Sequence, residues 1–119
     1  FVFSFFLAEF DAVVDSGLLH CLSDDEIKAY AVNLRSLVTV GGKVYIGCFS
    51  DENPDPWDNP QRISEMKLKE TFSIRDGWMI ESIARKWWKR PSERGTSSGG
   101  AWSMAWWCVI VRATTDIDV

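Results

Sequence analysis

Between Asp15 and Cys21 the chain sets a carboxylate, a hydroxyl, an imidazole and a thiol within one short stretch, "DSGLLHC". Asp15 and Ser16 can accept from, or position, a ligand's amino group or hydroxyl. His20, the only histidine, can orient a substrate or take its proton. Each has a plain alternative: the acid and serine simply terminate a strand, and the histidine is a hydrogen-bonded residue at the top of a core. Two stronger chemistries are excluded. His20 and Cys21 have no third or fourth ligand at a useful spacing, so no metal site is expected. "VDSGL" lacks the glycine that a nucleophile elbow needs ahead of its serine.

These residues need a strand to deliver them. Ala12, Val13 and Val14 are apolar without alternation, the pattern of a strand buried on both faces of a parallel sheet, and such sheets bind ligands at the carboxyl ends of their strands. Ser23 with Glu26 three places on forms a capping box, followed by Ile27, Tyr30, Ala31, Leu34 and Val38 at helical spacing. The helix is expected to end at Gly41 and Gly42, before a second buried strand, "KVYIGCF". The proline- and acid-rich "SDENPDPWDNPQ" reads as a loop above that strand's carboxyl end, either a lid with Trp57 as an apolar wall or plain solvent loop. Ile63 and Leu68 fit a hydrophobic staple around a cap at Ser64, predicting a short helix with Phe72 on the same face. A turn at Gly77 leads into a third strand, and "AWSMAWWCVIVRA" forms a fourth. With no helical pattern from Arg85 to Gly100, the last two strands are expected to pair antiparallel around a long loop.

The bulk numbers narrow the class. With 119 residues the chain is one domain or less, and its first residue is Phe1, which suggests a fragment, a processed chain or a truncated reading frame. "FVFSFFLAEF" has no basic region or cleavage site and is too short to span a bilayer, so it reads as a strand or its remnant. The net charge of −4 argues against binding a polyanion. "ARKWWKRPSER" does interleave tryptophans with cations in the manner of a nucleic-acid patch, yet a solvated hairpin loop accounts for the same charges. Cys21, Cys48 and Cys108 are odd in number and set in apolar sequence, as for reduced core residues of a cytoplasmic protein.

Taken in order, "FDAVVDSGLLHCLSDDE", "LVTVGGKVYIGCFSDENP", "PQRISEMKLKETF", "GWMIESI" and "WCVIVR" resemble the class I S-adenosylmethionine-dependent methyltransferases. The likeness is to their small-molecule, thiopurine-methyltransferase-like branch and runs from about Glu9 to Arg112. It implies an α/β fold, a partial Rossmann-like sheet. The family's strand order is 3-2-1-4-5-7-6 with the seventh antiparallel, and this chain supplies strands four to seven with two helices. The resemblance places Asp15, Ser16 and Gly17 beside the methionine end of S-adenosylmethionine, His20 toward the methyl acceptor as candidate catalytic residue, and Trp57 against the acceptor. Residues 1–119 are then a single partial domain without the amino-terminal cofactor-binding half, since the family's glycine-rich turn and ribose-binding acid have no counterpart. Val40 also stands where the family commonly has proline. Two functions follow as expectations: the substrate-side part of a small-molecule methyltransferase, or a non-catalytic remnant that binds or self-associates through the exposed edge of its first strand.

Overall fold

The computed structural model describes residues 10–53, 61–89 and 102–114. Within them the chain is an α/β unit: β1 (Phe10–Ser16), α1 (Asp24–Leu37), β2 (Val38–Phe49), α2 (Glu65–Thr71), β3 (Trp78–Lys89) and β4 (Trp102–Arg112). Single 3-10 turns at Leu19–Cys21 and Ile74–Asp76 precede α1 and β3. The four strands form one sheet in the order β1-β2-β4-β3, with β1 parallel to β2, and β4 antiparallel to both β2 and β3. That is the order expected of strands four, five, seven and six.

Local chemistry starts the helices where the sequence predicts. Ser23 accepts the Glu26 N–H while Glu26 accepts the Ser23 N–H, a reciprocal pair that satisfies two orphan donors of α1. Ser64 caps α2 by accepting the Lys67 N–H, and the flanking Ile63 and Leu68 are both buried. The turn at Gly77 is present, with left-handed backbone at φ 89°.

Pairing across strands shows which side chains share a face. Val13 lies opposite Val44 and Asp15 opposite Ile46; Val44, Ile46 and Cys48 lie opposite Ile110, Cys108 and Trp106. This face meets Ile27, Ala31 and Leu34 of α1 and Leu68 and Phe72 beside α2 in one buried cluster. The opposite face carries Val14, Tyr45 and Val109, and it is open at Val14, which is 67% exposed.

Four expectations are corrected. β1 is not buried on both faces: Ala12 and Val14 are exposed, because both described helices pack on the other side. α1 ends at Leu37, not at Gly41 and Gly42; the β-branched Val38, Thr39 and Val40 already belong to β2, whose register against β1 slips between Phe10↔Val38 and Ala12↔Lys43. β3 continues through Arg85 to Lys89, since these residues pair with Trp106 to Trp102, so Arg85–Lys89 are strand and not part of the expected Arg85–Gly100 loop. Cys21 is exposed, while Cys48 and Cys108 are core residues. The expected strand in "FVFSFFL" lies outside the described residues.

Candidate functional site

At the carboxyl ends of β1 and β2 the chain turns sharply, and the turn is built by Asp15. The residue is 4% exposed and its side chain accepts two hydrogen bonds, from the Leu18 N–H at 2.7 Å and from the Tyr30 hydroxyl of α1 at 2.7 Å. Both carboxylate oxygens are thereby engaged, and burial together with this bond pushes the Tyr30 hydroxyl well above its usual titration range. Asp15 ties the loop after β1 to the helix that follows. Ser16, its neighbour, is exposed and lies on the open face opposite Gly47. Gly17 has φ 94° and donates its N–H to the Gly47 carbonyl at 3.0 Å, which extends the β1–β2 pairing by one residue.

That left-handed turn brings His20 back over the sheet. His20 is 6% exposed, its ring stacked on Phe49 with centroids 4.8 Å apart and planes 6° apart, and it meets Trp88 of β3 edge-on at 6.2 Å. Its Nδ1 accepts the Phe49 backbone N–H at 2.9 Å. Burial lowers the His20 pKa below 6.5, against a smaller upward pull from Asp15. Gly47 makes room for the aromatic group: a Cβ there would stand 2.4 Å from the Trp88 ring.

Loop ends that the sequence reading passed over complete the site. Asn53 is buried, accepts the Met104 N–H at 2.7 Å, and donates from its amide to the carbonyls of Ser50 and Met104 at 2.7 Å each. Gln61 donates its backbone N–H to the His20 carbonyl at 2.8 Å and its amide to the Leu22 carbonyl. Arg85 holds Glu52 by two bonds, at 2.7 and 2.9 Å, and lies 5.2 Å from the Trp106 ring. Asn53 and Gln61, the described residues flanking the segment that holds Trp57, are thus both tied down, Gln61 on His20 itself, while Trp57 lies outside the described residues. Asn53 and Gln61 give no signal in sequence, because amides in a polar loop look like any others until their buried partners are known.

Of the expected site residues, the structure brings Asp15, Ser16, Gly17 and His20 together at one end of the sheet. It aims Asp15 toward α1 and His20 over the opposite face. Among the described residues no group of three or more His, Cys, Asp or Glu side chains is placed to hold a metal ion. No helix among them is long and apolar enough to cross a membrane.

No protein-family model matches the chain, and no curated protein matches it in sequence. Solved structures do match. The structure reported for conversion of a disulfide bond into a thioacetal group during echinomycin biosynthesis is 26% identical with a TM-score of 0.71, over 93% of this chain and 53% of that one. A SAM-dependent methyltransferase from Methanosarcina mazei is 10% identical with a TM-score of 0.70, over 91% of this chain and 61% of the other. The 1,6-didemethyltoxoflavin-N1-methyltransferase of Burkholderia thailandensis, solved with 1,6-didemethyltoxoflavin and S-adenosylhomocysteine bound, is 19% identical with a TM-score of 0.62, over 90% and 45%. The chain thus spans about half the length of the structures it matches. The last two are methyltransferases, and the chain's sheet and two helices have the fold of part of those structures.

Proposed function

We propose that this chain is the carboxyl-terminal, substrate-side half of an S-adenosylmethionine-dependent methyltransferase acting on a small molecule, in the thiopurine-methyltransferase-like branch. The observation that carries this reading is the fold, a sheet in the order β1-β2-β4-β3 with β4 antiparallel to its neighbours, which superposes on methyltransferase structures over nine-tenths of the chain. Residues 1–119 then form one partial domain of a cytoplasmic enzyme, and the free thiols among the described residues accord with that setting.

The cofactor supplies a methyl carbon bound to a positively charged sulfur. What the protein contributes to such an in-line displacement is mainly alignment. Ser16 and Gly17 fit one wall at the methionine end: Ser16 is exposed at the edge of the sheet, and Gly17 presents backbone without a side chain. Asp15 acts on that wall indirectly, by fixing Leu18 and thus the turn. The glycine-rich turn and ribose-holding acid of the resembled family have no counterpart in the sequence, and this reading assigns those contacts to an amino-terminal half. Trp57, between the anchored Asn53 and Gln61, is assigned to the acceptor's side.

A second reading, a non-catalytic binding or self-association module, is favoured by one observation. Among the described residues β1 is an edge strand whose Phe10 and Val14 are exposed, followed by an exposed Leu18. The two are separated by joining the chain to an amino-terminal methyltransferase half and cross-linking labelled S-adenosylmethionine. Label on the peptide holding Ser16 and Gly17 supports the first reading. Label confined to the added half, with stable self-association of the chain, supports the second.

A further inference from the structure

The state of the His20 ring is fixed by its contacts. A backbone N–H only donates, so the Phe49 bond requires an unprotonated Nδ1, and the one proton of the neutral ring resides on Nε2. The ring has little freedom to turn over. It is clamped flat on Phe49 with Trp88 at its edge, and a flip would leave the buried Phe49 N–H facing a ring carbon. Nε2 lies beside Gly17, where a Cβ would stand 3.2 Å away, and no described residue hydrogen-bonds to it. The free corner of the ring is thus a donor, placed at the turn that the proposed site uses.

Resting on the reading of this end of the sheet as a methyl-transfer site, we propose that His20 is a fixed Nε2–H donor to the bound ligand and does not take a proton from the acceptor. The site is then matched to acceptors that arrive with a bare lone pair: a thiolate, an ionised hydroxyl or an unprotonated ring nitrogen. The transfer balances without a base. The acceptor's lone pair forms the bond to the methyl carbon, the carbon–sulfur bond breaks with its electron pair going to sulfur, and the sulfonium becomes a neutral thioether. No proton moves to His20.

The chain holds a single histidine, so nitrogen-15 labelling of the imidazole gives one pair of ring resonances. On the full 119-residue chain at neutral pH the expected spectrum has a protonated Nε2 and a bare Nδ1. The opposite tautomer, or an averaged pair of shifts, overturns the proposal whether or not methyl transfer is observed. A second arm uses the chain joined to an amino-terminal methyltransferase half. His20→Gln, which keeps an N–H donor, should retain more turnover than His20→Ala, which should fall by about tenfold. Equal losses of ~10²-fold or more in both variants mark a general base and overturn it. If the unsubstituted joined protein transfers no methyl group, the methyltransferase reading fails instead, and the nitrogen spectrum tells the two failures apart.

Discussion

The acid that ends β1 shows how a residue can be found in sequence and its work still be missed. Asp15 stands out at the end of an apolar run, but whether its side chain faces the ligand or the core depends on strand parity, which the register against Ile46 decides. The structure points it at Tyr30. Asp15→Ala should therefore destabilise the fold by about 3 kcal/mol or more, since it leaves two donors without their charged acceptor; Tyr30→Phe should cost about 1 kcal/mol. Denaturant titration of both variants checks this, and an Asp15→Ala chain as stable as the parent would contradict it. His20 makes a pH prediction of definite sign. Its folded pKa is lowered, so the unfolded chain binds more protons as pH falls below 6.5, and stability should decline from there until the folded ring is also protonated. The carboxylates lowered by their partners, Asp24, Glu26 and Glu52, act on stability only at lower pH. A His20→Gln chain should lose the slope in that upper window, which urea midpoints read at several pH values will show.

At the scale of elements, the starts of helices were legible and the ends of strands were not. Ser23, Glu26, Ser64 and Lys67 act within one turn, so local sequence is enough to place α1 and α2. Arg85 to Lys89 read as loop because their strand character comes from pairing with Trp106 to Trp102, across the segment that separates them. Val38 to Val40 were read into the helix and its exit for the same reason: their partner, Phe10, is 28 residues away in sequence at Val38. Two substitutions test these assignments. Ser23→Ala removes one half of the capping box and should cost about 1 kcal/mol. Gly47→Ala drives a methyl group into the Trp88 ring, 2.4 Å from the ideal Cβ, and should cost about 1–3 kcal/mol while disturbing the His20 stack. Tryptophan fluorescence and melting temperature together report both effects; a Gly47→Ala chain with unchanged values would refute the packing of the Trp88 ring over Gly47.

For the molecule as a whole, the parallel and antiparallel pairings were legible in the helical and non-helical connections, the insertion of β4 between β2 and β3 came from the family resemblance, and the open face was legible in neither. Ala12 to Val14 carry the composition of a strand covered on both sides, yet the described helices cover one side only. That exposed surface, with Phe10, Val14 and Met79, predicts self-association of the isolated chain in sedimentation experiments, and a monomer at all concentrations would contradict it. Thiol chemistry should resolve the layers: Cys21 reacts in the folded chain, while Cys48 and Cys108, the latter pushed up to about 12 by burial, react only on unfolding. The central proposal is that the carboxyl ends of β1 and β2 form one wall of a methyltransferase site whose other wall is supplied by an amino-terminal half. Calorimetric titration of S-adenosylmethionine into the chain alone, and into the chain joined to an amino-terminal methyltransferase half, tests it most directly. The account predicts no saturable heat for the chain alone and saturable binding for the joined protein; low-micromolar binding by the chain alone, about −8 kcal/mol, or no binding by the joined protein would contradict it.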